Sequence, residues 1–106
     1  MRQKEEKIMN VNGYETITTF WQDFTIADMF GISAIKDTYN RAFNEWKNDY
    51  KYLTELVMIL NWKIFSHYEK NREYAELYDK LWKEADAYAC ENLKGKELTY
   101  FFDVTD

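Results

Sequence analysis

The chain has 106 residues, of which 46% are hydrophobic and 31% charged, and its net charge is −5. That is enough for one domain with a real core, too short for two, and too apolar for bulk disorder. With no proline, three glycines and one cysteine, a turn-rich β-sandwich, an intramolecular disulfide and a thiolate zinc site are excluded.

Met1 to Asn10 is charged (Arg2, Lys4, Glu5, Glu6, Lys7) and lacks the apolar stretch of a secretion signal. The longest purely apolar run, Leu56 to Leu60, falls far short of the ~20 residues of a membrane span. A cytoplasmic location without membrane contact is therefore expected. Residues 1–15 show no periodicity, and Asn10, Asn12 and Gly13 read as loop. They are expected to form a flexible N-terminal arm ahead of a single helical domain over 16–106.

A first helix is predicted over Thr19–Phe30, capped by Thr18 or Thr19, with Phe20, Phe24 and Ala27 at i, i+4, i+7. Gly31 is expected to stop it in the left-handed helical conformation. Ser33 then caps a second helix with Ile35, Tyr39, Ala42, Phe43, Trp46 and Tyr50 on one face. Asn48 and Asp49 offer a break without glycine, so a separate third helix and a kinked continuation both fit. The third helix covers Tyr50–Glu69 and is apolar almost all round, as a central helix is. Asn71 caps a fourth, Arg72–Leu93, which Gly95 ends. The tail from Glu97 to Asp106 fits a strand, a helical turn or an extended strap, and any strand is expected there. The expected fold is all-α: a single-domain bundle of about four helices with a short C-terminal tail.

Chemistry-bearing patterns are sparse. His67 is the only histidine, and Ile64, three residues earlier, breaks the Glu-x-x-His pattern of a di-iron bundle. It reads as a cation favoured by the third helix's C-terminal dipole. Cys90, beside Ala89 on an apolar face, reads as a buried structural thiol. Glu84/Asp86 and Glu73/Glu76 are spaced like a solvated helix surface, and no carboxylate falls inside an apolar stripe. There is no glycine-rich phosphate loop. No catalytic residue, cofactor, metal ligand or small-molecule substrate is expected, and the reading is non-enzymatic.

Acidic residues outnumber basic ones 19 to 14, which disfavours nucleic acid as a partner. One segment keeps that class open. Ile26 to Ile35 carries Ala27 four residues before Gly31, as the first half of a helix-turn-helix does. Its second half offers only Lys36 and Arg41, against Asp37 and Asn40. Aromatics are abundant, at 19%. Most lie on helical stripes, whereas Trp21, Trp62, Tyr52 and Tyr14 fall at or beyond the stripe edges. Trp21 and Trp62, with Tyr100, Phe101 and Phe102 of the tail nearby or swapped between subunits, are the candidate protein interface.

Thr19 to Asp28, Ala42 to Trp46, Tyr52 to Val57 and Ala87 to Leu93 resemble small uncharacterised proteins encoded on conjugative and integrative elements of Gram-positive gut bacteria. The resemblance covers Thr19 to Asp106. It implies genetic context, since such elements carry transfer, maintenance and anti-defence genes, and it transfers no functional residue. The resulting expectation is a non-enzymatic accessory protein acting by protein–protein interaction or self-association, with a host defence protein as one target. The alternative is a helix-turn-helix-like DNA-binding regulator.

Overall fold

A computed structural model describes residues 8–11, 14–17 and 19–105. Ile8–Val11 (β1) and Tyr14–Ile17 (β2) pair antiparallel, from Ile8 opposite Ile17 to Val11 opposite Tyr14. Between them lies Asn12-Gly13, the dipeptide best suited to a two-residue hairpin turn. The loop reading at Asn10, and the expectation of strand only in the tail, are thereby corrected, whereas the loop reading at Asn12 and Gly13 lies outside the described residues. Residues 1–7 of the expected arm, and the Thr18 cap, lie outside the described residues.

Among the described residues five helices follow: α1 Thr19–Phe30, α2 Ile32–Trp46, α3 Tyr50–His67, α4 Arg72–Asn92 and α5 Lys96–Thr105. At the start of α1 the Phe20 N–H donates to Glu55 Oε1 at 3.4 Å. This sets a buried carboxylate against the positive end of the helix. It also corrects the expectation that no acidic group enters an apolar stripe.

α1 and α2 meet at Gly31, whose N–H donates to the Ala27 carbonyl at 3.1 Å. Gly31 has φ 111° and ψ −171°, outside the left-handed helical region expected for it. Only glycine adopts this combination of positive φ and extended ψ without strain. The break therefore holds, and α2 starts at Ile32 rather than behind a Ser33 cap. The Asn48–Asp49 break is a true one. The Asp49 carboxylate caps α3, accepting from the Lys51 and Tyr52 N–H groups at 3.1 and 3.3 Å.

Every residue from Leu53 to Leu60 is buried, so α3 is the central helix that its sequence implies. Asn71 caps α4 by accepting from the Tyr74 N–H at 3.2 Å. Because only residues 68–71 separate α3 from α4, the two form an antiparallel hairpin, the most extensive helix contact in the fold. Asp79 and Lys83 pair at 2.9 Å on the exposed face of α4, a contact worth ~0.3 kcal/mol.

The tail is a fifth helix, not a strand or strap. Gly95, at φ 57°, turns the chain back, and α5 buries Phe101 and Val104. Among the described residues no helix is long and apolar enough to cross a membrane.

Leu60 and Leu81 lie in the core cluster shared by all five helices. Leu60→Ala and Leu81→Ala are each expected to destabilise the fold by ~2–4 kcal/mol in urea unfolding. Leu60, wholly buried, should give the larger loss.

Candidate functional site

Where α1 ends, α3 ends and α4 begins, one carboxylate gathers the polar groups of all three. Asp28 Oδ2 lies 2.9 Å from Lys63 Nζ and 2.9 Å from His67 Nε2. The Tyr78 hydroxyl donates to Asp28 Oδ1 at 2.5 Å. The Tyr74 hydroxyl donates to the Asp28 carbonyl at 3.2 Å, satisfying an acceptor that the end of α1 leaves open. The facing carboxylate makes Nε2 the protonated nitrogen of His67. The ring of His67 stacks on Tyr78 at 5.6 Å and meets Tyr74 edge-on at 5.4 Å.

Lys63 also donates to Thr25 Oγ1 at 2.9 Å and sits 4.2 Å above the centre of the Trp21 ring. Its side chain is 4% exposed and that of Asp28 14%. Burial, followed by the hydrogen bond to Asp28 and that carboxylate's charge, pushes the Tyr78 hydroxyl far above the ordinary phenol range. Tyr39 is raised likewise, by burial and by its 2.8 Å hydrogen bond to Glu84. Both phenols are therefore fixed proton donors at neutral pH. Both Asp28 oxygens are occupied, and the arrangement ties three helices together around a neutralised charge.

His67 thus engages Asp28, a partner that its helix-end position did not indicate. Two spacings could have pointed there. Lys63/His67 and Tyr74/Tyr78 are both i,i+4 pairs, one on each side of the turn at residues 68–71.

Of the expected interface residues, Trp21 and Trp62 do come together, edge-on at 6.4 Å. Trp21 is exposed and Trp62 half-buried. The tail residues lie apart from them: Tyr100 packs edge-on against Tyr50, at the opposite end of α3 from Trp62. Phe101 is 0% exposed and belongs to the core, whereas Phe102 is exposed. Within this chain the tail neither covers the Trp21–Trp62 pair nor presents Phe101, because α5 turns that ring inward.

A different surface is open. Between α1 and α2, with Tyr52 of α3 at one end, lies a groove of about 650 Å³. Ala27, Ala34 and Ala42 give it a shallow floor, and Trp46, stacked on Tyr52 at 4.1 Å, forms its end wall. Ile26 and Phe30, one turn apart on α1, line it while 50% and 77% exposed. Asp23, Asp37, Arg41 and Glu45 line it as well. None of the groups around the Asp28 carboxylate does.

Cys90 is exposed, correcting the reading of a buried thiol. It follows Ala89, which faces the core, and the next position on α4 turns outward. Local desolvation, then the charges of Asp86 and Glu91, raise its pKa above the ordinary thiol value. Iodoacetamide is accordingly expected to label folded protein at Cys90, slowly at neutral pH and faster as pH rises into the alkaline range, as mass spectrometry of timed samples would show. Among the described residues no group of three His, Cys, Asp or Glu side chains could hold a metal ion.

Fold and surface together define a small helical protein with a closed polar cluster at one helix junction and, between α1 and α2, an open groove with an alanine floor and charged flanks. Compared with known proteins, the chain matches no family model, no curated protein and no solved structure.

Proposed function

We propose that this protein works by binding another protein, and that the α1–α2 groove is its docking face. The observation that carries this reading is the pair Ile26 and Phe30, large apolar side chains left in water beside an apolar floor. Covering both would contribute about 2–4 kcal/mol of apolar burial. The groove replaces the Trp21–Trp62 pair as the leading surface, and that pair becomes a secondary patch on the α1–α3 side. An accessory role on a mobile element, including action against a host defence protein, rests on the sequence resemblance alone and goes with this proposal.

Quantitative affinity capture from host extract tests it, comparing the wild-type chain with Ile26→Asp/Phe30→Asp. Both positions are exposed, so the variant should keep its helicity. A partner held by the wild type and lost by at least tenfold from the variant is the expected result. Capture unaffected by the double substitution would refute the docking face.

A further inference from the structure

We infer that the occupant of the α1–α2 groove is an amphipathic helix whose flank carries the charge order basic–acidic–basic at four-residue spacing. This rests on the docking reading above and adds the chemistry of the partner. The backbone of α1 and α2 is spent on its own helical hydrogen bonds, so the groove offers no edge for an extended peptide to pair with. A chain burying its backbone there must satisfy its own N–H and C=O groups, which a helix does. The alanine floor allows close approach, and the Ile26–Phe30 ridge gives the i, i+4 relief into which helical side chains interlock.

Charge supplies the rest. Asp37, Arg41 and Glu45 run along α2 at i, i+4, i+8 with signs minus, plus, minus, and all three are exposed. The described ion pairs lie elsewhere, on Asp28 and between Asp79 and Lys83. Asp23, on the opposite helix, has an interaction of its own and is not needed. The row spans about 12 Å at 1.5 Å per residue, so two to three turns of a partner helix reach all of it. A helix offering plus, minus, plus meets each charge with its opposite, and its basic excess suits a chain of net charge −5. A second copy aligned on this row would set like charges against each other.

Two synthetic helical peptides test the inference. Both have the same leucine–alanine face and differ only in a flank of Lys-x-x-x-Glu-x-x-x-Lys or Glu-x-x-x-Lys-x-x-x-Glu. Each is titrated by calorimetry against the wild-type chain and against D37K/R41E/E45K. The wild type should bind the first peptide about tenfold more tightly than the second, and the preference should shrink in high salt. The triple variant should reverse it. Should that variant fail to fold, Arg41→Glu alone should weaken binding of the first peptide. Equal affinities, or no binding of either peptide by the folded wild type, would overturn the inference. So would binding that emerges only after residues 1–7 are removed, which would make the chain's own segment the occupant. A dimer that Phe30→Asp dissociates and neither peptide displaces would overturn it in favour of a second copy. If partner capture still depends on Ile26 and Phe30 while the peptides show no preference, the docking face stands and this inference alone fails.

Discussion

Asp28→Ala is expected to destabilise the protein by about 3–5 kcal/mol, among the largest losses available from a single substitution. The effect comes less from the interactions removed than from what stays behind. Lys63 is almost fully buried, and its ammonium would keep only Thr25 Oγ1 and the face of Trp21 in place of a carboxylate. Tyr78 would lose the acceptor for a buried hydroxyl, and His67 its only polar side-chain contact among the described bonds. Lys63→Met should cost clearly less. It removes the buried cation, keeps most of the side chain's apolar volume, and leaves Asp28 with His67 and Tyr78. In Asp28→Ala/Lys63→Met the two losses should fall short of additivity by more than ~1 kcal/mol, because the unpaired cation is gone. Urea unfolding of the four proteins checks this. An Asp28→Ala loss below ~1 kcal/mol would show that the cluster does not tie the helices together.

Phe101→Ala is expected to cost about 3–5 kcal/mol, as truncation of a fully buried ring does. α5 has ten residues, too few to be stable alone in water. It persists because Phe101 and Val104 reach the core and Leu98 packs against it. Without the ring, circular dichroism should show partial loss of helix at temperatures where α3 and α4 still hold. Phe102→Ala, one position on and exposed, should stay within ~0.5 kcal/mol. Equal, small effects at both positions would return the tail to the surface.

The same contrast explains what could be read from the sequence. α2 and α4 carry long 3.6-residue stripes, α3 is apolar almost all round, and Gly31, Asp49 and Asn71 mark the boundaries; these signals are local. α5 has no capping residue that stands out and depends on packing against distant parts of the chain, so its sequence left three conformations open. The hairpin was signalled by Asn12-Gly13, but an isolated pair of four-residue strands shows too little alternation to be distinguished from loop.

The polar cluster is non-local in the same way. Asp28, Lys63 and Tyr78 each resemble ordinary residues of a helix surface or stripe until α1 is laid across the end of the α3–α4 hairpin. Cys90 was misplaced because its neighbour Ala89 does face the core, and one position on a helix is a rotation of about 100°. The groove was hidden for a further reason. Its floor is made of alanines, which periodicity counts as core without showing that no larger side chain of the described residues fills the space above them.

Hydroxyl-radical footprinting of the chain bound to its captured partner tests the central claim most directly, since side-chain oxidation reports coverage residue by residue. Phe30 and Ile26 should lose most of their reactivity on binding, and Phe65, exposed on α3, should keep its own. Protection of Phe65, Phe102 or Trp21 with Phe30 unchanged would place the working surface outside the α1–α2 groove and contradict the account.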